Sequence, residues 1–267
     1  MKRIGIDAGG SLMKITYQEK GNLHFKKFQM NEKKQALSWL KIAAPDADIV
    51  LTGGKAGNLQ KQYFNGSSVV DEFEATCNGA VHLLKKNNEL PKNPFLLVNI
   101  GTGTSWHLIN NEKQERVFGS GIGGGTLMGL GSILSTEKEY RNLVELATEG
   151  TRDNVDLLVR DIYAPNEPPL DGNLTASNFA KASMNLSQSP SDLVASLINM
   201  MAETIMLFTA QNATIHGTSQ VYFIGSTLAG NLPFKNKLST YGKMLGQEVH
   251  FIPGGEYSGA VGAMISI

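Results

Sequence analysis

Asp7 is the first residue of this chain with chemistry to offer, and it ends a short apolar alternation, Ile4-Gly-Ile-Asp7. Ile4 and Ile6 alternate as on a half-buried strand. Gly9 and Gly10 then permit a tight reversal, and Ile15 and Tyr17 read as the return strand. Such a hairpin carries a carboxylate at its mouth and bare backbone N–H groups at its tip. Bare N–H groups beside the Ser11 hydroxyl and the Lys14 ammonium suit a polyphosphate, and Asp7 suits a divalent cation or its water shell next to it. The same residues also fit an ordinary Gly-Gly hairpin with an exposed aspartate.

Three further loops come after strands or strand-like runs. Phe95–Ile100 is an apolar strand, Gly101-Thr-Gly-Thr-Ser105 a second small-residue turn, and Trp106 to Ile109 its return strand. The chain thus repeats its opening device. Arg116-Val-Phe leads into Gly119-Ser-Gly-Ile-Gly-Gly-Gly125, and Val221-Tyr-Phe-Ile224 into Gly225–Gly230. Gly119-x-Gly121-x-x-Gly124 matches the dinucleotide pattern, but the segment after its helix reads as more helix, where a Rossmann unit needs a second parallel strand. No G-x-x-x-x-G-K-[ST] and no G-x-S-x-G occurs, which removes a P-loop and a hydrolase elbow. Loops after parallel strands gather at one sheet edge, where ligands bind. Two phosphate-type hairpins and a Gly-rich platform suit a nucleoside triphosphate held between two lobes.

The elements that must position these loops are legible from periodicity. Residues 23–29 alternate as a third antiparallel strand; Glu32 to Ala43 is helical, stopped by Pro45; Ile49-Val-Leu51 is a buried strand of parallel type. A short helix is expected over 57–63. Ser68 to Asp71 reads as a strand running extended into Glu72-Phe-Glu74, which would put Glu72 and Glu74 on one face, and a helix is expected from Ala75 to Lys86. The Asn/Lys/Pro segment 87–94 is the expected boundary between domains 1–94 and 95–267. Beyond the apolar helix that ends at Leu134, helices are expected at about 137–149 and 153–163, a short one capped by Thr175, and long or short ones at 192–212, 234–245 and 254–263.

The order DAGGSLMK, NIGTGTS, YFIGSTLAGN and GAVGA resembles the acetate and sugar kinase, Hsp70 and actin superfamily: first phosphate loop, second phosphate loop, adenosine loop and closing helix. Within it the chain most closely resembles the type II pantothenate kinases of Gram-positive bacteria, through Val70-Asp-Glu-Phe-Glu-Ala75, Arg116 before the glycine run, Gly123-Gly-Gly-Thr-Leu-Met-Gly-Leu-Gly131, Glu167-Pro-Pro169 and Leu174-Thr-Ala-Ser-Asn178. That family's first loop commonly has Thr where Ser11 stands; the hydroxyl is kept. The resemblance covers essentially the whole chain. It implies an α/β, two-lobed actin-like ATPase and sugar-kinase fold of duplicated ribonuclease H-like domains, with the nucleotide cleft between lobes and the final helix packed back on the first. It implies that Glu72 is the base and that Arg116 contacts substrate and transferring phosphate. It matches Asp7, Ala8, Gly9, Gly10, Ser11, Leu12, Met13, Lys14, Thr102, Gly124, Gly125, Thr126, Leu127, Met128, Tyr140 and Ser226 to nucleotide-contacting positions. ATP and Mg²⁺ (the metal through water on Asp7), pantothenate as acceptor and a homodimer come with it. Glu74 stays a rival for the base on the residues alone.

Composition bounds the alternatives. Lys+Arg and Asp+Glu are each 24, so no basic excess argues for nucleic acid or an anionic membrane. No run reaches membrane-spanning length and no signal-length apolar core comes after Met1, so a cytoplasmic protein is expected. The five histidines have no metal-ligand spacing, and the single Cys77 makes no internal disulfide. A sugar or N-acetylhexosamine kinase is the first rival and a nucleotide-switch ATPase the second. The activators of 2-hydroxyacyl-CoA dehydratases hold a cluster by cysteines, and one Cys per chain cannot supply that ligand set even across a twofold dimer.

Overall fold

Two five-stranded sheets are built to one plan. In a computed structural model, which describes residues 3–110, 113–184 and 188–266, the chain runs β1 (Arg3–Ala8), β2 (Leu12–Glu19), β3 (Asn22–Gln29), α1 (Lys33–Ala43), β4 (Asp48–Thr52), α2 (Ala56–Tyr63), β5 (Ser68–Val69) and α3 (Glu72–Lys86). It continues through β6 (Phe95–Ile100), β7 (Thr104–Asn110), β8 (Lys113–Ser120), α4 (Gly124–Ser135), α5 (Tyr140–Glu149), β9 (Leu157–Leu158), α6 (Val159–Tyr163) and β10 (Thr175–Ser177). Then come α7 (Pro190–His216), β11 (Gln220–Ile224), α8 (Leu232–Met244), β12 (Glu248–Phe251) and α9 (Ser258–Ile265). The sheet orders are β3-β2-β1-β4-β5 and β12-β11-β6-β7-β8. Each is an antiparallel three-strand meander whose first strand also pairs in parallel with a strand returning through helices. The architecture is the expected two-lobed α/β fold with a duplicated core.

Three apolar clusters hold it. Ile4, Ile6, Met13, Ile15 and Leu51 of the first sheet pack with Leu40 of α1 and Leu59 of α2. One face of the second sheet carries Val98, Ile100, Trp106 and Phe223 against Leu127, Leu143, Leu197, Met201 and Phe234 of α4, α5, α7 and α8. The other face takes Leu83 and Leu84 of α3 with Val261 of α9. So α3, from the first half of the chain, lies on the second sheet. α9, from the second half, meets the first: a Cβ on Gly5 of β1 would stand 1.9 Å from the Ala260 carbonyl oxygen.

The α3–α9 contact is backbone on backbone. A Cβ on Gly79 would lie 1.9 Å from the Ser258 carbonyl oxygen, and one on Gly262 would lie 1.7 Å from that of Ala75. Neither neighbour is a flexible side-chain end, so neither can yield cheaply.

Three expectations are corrected. The 72–74 stretch is the first turn of α3 rather than extended chain: Asp71 caps the helix, its Oδ1 accepting from the N–H groups of Phe73 and Glu74 at 2.9 Å each. Residues 153–163 are not one helix, and Thr175 caps none: Thr175–Ser177 pairs with β9 instead. The cause is a buried polar cluster, in which the Arg152 guanidinium donates to Thr175 Oγ1 at 3.0 Å and to Asp156 at 3.4 Å. Such bonds override local helix preference. Last, α7 is by length and composition long and apolar enough to cross a membrane, contrary to the expectation that no run is; 61% of its most apolar stretch is buried in the protein. Trp106 Nε1 donates to Thr209 Oγ1 of α7 at 2.8 Å inside that core.

Gly262→Ala and Gly79→Ala are each expected to cost about 3 kcal/mol or more, the upper range for overpacking, because a carbonyl must move. Gly129→Ala in α4, where nothing lies within 4 Å of an added Cβ, is expected to gain about 0.5–1 kcal/mol. Urea unfolding of the three variants checks the contrast; equal stabilities would mean the α3–α9 contact is slack.

Candidate active site

The first hairpin closes as its glycines predict, with the Gly9 N–H donating to Leu12 O at 3.0 Å and Asp7 facing Lys14 across the strands. The Lys14 ammonium is 3.3 Å from Asp7 Oδ2, both side chains being 13% exposed. Two glycines make room for that carboxylate. A Cβ on Gly53, whose φ is +93°, would stand 2.7 Å from Oδ1, and one on Gly259 of α9 3.0 Å from Oδ2. Lys55 adds a second cation, its Nζ donating to Gly10 O at 2.5 Å.

The second hairpin repeats this over Gly101–Gly103, the Gly101 N–H donating to Gly103 O at 2.8 Å. The start of α4 leans on it: the N–H groups of Gly124 and Gly125 donate to Gly101 O at 2.8 Å and Thr102 O at 2.9 Å. Thr227 Oγ1 also donates to Gly101 O, at 2.8 Å. Tyr140 in turn donates its hydroxyl to Thr227 O at 2.5 Å and accepts from Asn231 Nδ2 at 3.0 Å, and burial pushes its phenol pKa up.

All of this converges on a cleft of about 300 Å³, whose walls include Asp7, Lys14, Glu72, Thr102, Arg116 and Ser226. Gly9, Gly10, Ser11 and Leu12 line it too. The other expected contact residues are not on its walls. Ala8, Met13 and Leu127 are fully buried, so their side chains serve the cores. Gly124, Gly125, Thr126 and Tyr140 buttress the second loop and its neighbours, Met128 packs on the apolar core, and the N–H groups of Gly124 and Gly125 are already bonded within the protein.

Glu72 and Glu74 diverge, because two helical steps turn about 200°. Glu72 enters the cleft; Glu74 faces an adjoining hollow of about 430 Å³ with Asn78, His107 and Gln114. The Glu72 residue is open to solvent as a whole, while its carboxylate is set among protein atoms. That setting raises its pKa above the ordinary glutamate value: desolvation contributes most, then the charge of Asp7, against the lowering effect of Lys14 and the Gly54 N–H. A carboxylate with a raised pKa is a better proton acceptor at neutral pH.

Arg116 and Phe73 stand on both the cleft and the hollow. The guanidinium lies 5.0 Å over the Phe73 ring and against Gly119, where any side chain would collide with it. Buried His107 sits 5.6 Å from the same ring and 2.9 Å, through Nε2, from Ser105 Oγ. Burial and the Arg116 charge hold the His107 pKa down to about 4, so the imidazole is neutral at pH 7. Sequence reading missed Lys55, Phe73, His107 and Thr227. A Gly-Gly-Lys run after β4 was a signal for Lys55; His107 had none apart from its place on a return strand.

Among the described residues no group of three or more His, Cys, Asp or Glu is placed to hold a metal ion. Asp7 alone, cradled beside phosphate-type loops, fits a cation held mostly by phosphate oxygens and water, the common arrangement for Mg²⁺.

Residues 3–266 match the profile of the Fumble family. A type II pantothenate kinase from Oceanobacillus iheyensis is 41% identical over 266 residues, covering 100% of each chain. Among solved structures, component A of the Acidaminococcus fermentans (R)-2-hydroxyglutaryl-CoA dehydratase aligns over 99% of this chain and 96% of its own, at TM-score 0.67 and 16% identity. A ROK family glucokinase from Streptomyces griseus, in complex with glucose and AMPPNP, aligns over 99% and 98%, at TM-score 0.56 and 14% identity. At such identities the two structures speak for the fold alone. With a family profile matched almost end to end and a full-length relative above 40% identity, the chain belongs to the type II pantothenate kinase family.

Proposed function

We propose that this protein is an ATP-dependent kinase that transfers the γ-phosphate of ATP to the 4′-hydroxyl of pantothenate, the first step of coenzyme A biosynthesis. Family membership supports the acceptor. The observation that carries the chemistry is the meeting of both phosphate-type hairpins with the Glu72 carboxylate on one cleft.

The polyphosphate lies against the N–H-rich tips at Gly9–Ser11 and Gly101–Gly103, with Lys14 and Lys55 offsetting its charge. Asp7 would hold Mg²⁺ through water. When bound, the ion neutralises charge on the phosphate oxygens. Pantothenate enters from the hollow beyond Phe73, and its hydroxyl meets Glu72. The hydroxyl oxygen forms a bond to the γ-phosphorus, the bond from that phosphorus to the bridging oxygen of ADP breaks, and the hydroxyl proton passes to Glu72. Arg116, held flat by Phe73 and Gly119, supports the charge on the transferring group. Glu74 faces the acceptor side and takes no proton.

A homodimer and a cytoplasmic location belong to the same proposal. Leu130 and Ile133 of α4 and Leu207 of α7 are exposed apolar residues on helices that pack together, a surface suited to a second copy. The one cysteine is buried, with its pKa pushed up to about 12, as suits a reducing compartment.

ADP release should be robust with pantothenate and weak with glucose or N-acetylglucosamine. Turnover of a hexose with none of pantothenate would transfer the site to a sugar kinase. Asp7→Asn should lower kcat about 100-fold or more at saturating Mg²⁺ while far-UV circular dichroism stays native. Near wild-type turnover would reduce Asp7 to a hairpin residue.

Glu72→Gln should lose ~10²–10⁴-fold in kcat with ATP affinity nearly intact, whereas Glu74→Gln should stay within about threefold in kcat. Since the base form is lost as pH falls through a raised pKa, the acid limb of kcat/KM should lie above the ordinary glutamate range and vanish in Glu72→Gln. A crippled Glu74→Gln beside an active Glu72→Gln would move the base by two residues. Arg116→Ala should lower kcat and raise the KM for pantothenate together.

A further inference from the structure

Between α5, α7 and α8, away from both hairpin loops, lies a second cavity of about 370 Å³. Its walls carry Thr148, Arg152, Ile198, Asn236, Lys237 and Thr240. Nothing in the proposed phosphoryl transfer uses it. Its volume is that of a small-molecule pocket.

Its charges do not balance. Asp156, fully buried, takes a hydrogen bond from Arg152 at 3.4 Å and one from the Phe179 N–H at 3.0 Å. Asp153 is taken by Arg160. Lys181 is 2.6 Å from Asp161. Every carboxylate of the cluster is thus engaged, while Lys237 has no hydrogen-bond or ion-pair partner among the described residues. Arg152, 11% exposed, donates through Nη1 to Asp156 and Thr175 and through Nη2 to Asn173 O; its Nε is 4.0 Å from Asp153, beyond hydrogen-bond reach. That leaves the Nε–H and one Nη2–H of Arg152 uncommitted. Burial and then the nearby Arg152 charge lower the Lys237 pKa, and the charges of Asp153 and Asp156 offset only part of that effect. A half-buried ammonium beside a guanidinium is costly without a directly bonded anion, and Asp153 and Asp156, which act on it from a distance, are bonded to other cations. Two neighbouring cations, hydroxyls on Thr148 and Thr240 and an apolar floor at Ile198 and Leu232 describe what would supply it.

We propose that the α5–α7–α8 cavity is a second anion site that takes a small phosphate monoester, its phosphate between Lys237 and Arg152 and its organic body against Ile198 and Leu232. Arg152 is already paired with Asp156, so the surplus charge is that of Lys237 alone; the three free oxygens of a phosphate can accept from Lys237 and from both uncommitted N–H groups of Arg152 at once, where a carboxylate has two oxygens for the three donors.

Isothermal titration of glycerol 2-phosphate into the protein, saturated with Mg²⁺ and AMPPNP to fill the first site, tests it. The wild type should bind one equivalent, and Lys237→Met, which keeps the stem and removes the charge, should bind at least about tenfold more weakly. Glycerate, a carboxylate of similar body, should bind more weakly than the phosphate. The Lys237→Met protein should melt no lower than the wild type in phosphate-free buffer, since a lone buried charge is relieved. If Lys237→Met fails to fold, Asn236→Asp, which adds an anion to the same wall, should weaken binding by a similar factor. Absence of binding to the wild type, affinity unchanged in the variants, or a preference for glycerate overturns the proposal.

Discussion

The rest of the molecule depends on a contact without side chains. α3 and α9 touch backbone to backbone at Gly79 and Gly262, closer than any other residue would allow. α3 starts at Glu72 and α9 carries Gly259 against Asp7. The distance between the proposed base and the proposed metal-side carboxylate is therefore set by how near two helices can come. A larger residue at either glycine would act first on the spacing of the lobes and through it on the cleft. Close packing of this kind transmits strain rather than absorbing it.

The electrostatics of the cleft arise from that geometry. Asp7 and Glu72 are near enough for Asp7 to raise the Glu72 pKa, and Lys14 opposes part of that effect. One carboxylate is paired and cradled, the other desolvated and left with little support, which separates their roles without any difference in chemistry between them. A neutral His107 beside Arg116 completes the contrast, since a second cation there would loosen the guanidinium from the Phe73 ring.

Both hairpins were readable from the sequence, because glycine at a reversal and apolar alternation on either side are local signals. The repeat of the device at Gly101 was readable for the same reason, and topology extends it to the whole sheet. The base was not separable from Glu74 by residues alone: the extended reading gave both glutamates one face, and only the Asp71 cap, itself a local signal, turns them apart. Residues 152–183 were illegible for another reason. Their course is set by Arg152 and Asp156, whose partners lie up to 44 positions away. The α4 glycines have a place in the fold that their sequence did not announce: the N–H groups of Gly124 and Gly125 donate to the second phosphate-type loop.

The exchange of helices between the sheets also bears on how the chain reaches its native state. α3 packs on a sheet made after it, and the first strand, Arg3–Ala8, is covered by Ser258–Ile265, some 250 positions later. During synthesis the first sheet would leave the ribosome with one face bare, and β1 could not be buried on both sides until α9 was made. Contacts of such sequence separation are slow to close and leave apolar surface exposed meanwhile. Neither half is then a natural fragment. A chain cut in the 87–94 link would give two pieces, each lacking a helix that the other holds, and they would have to fold as one by assembling.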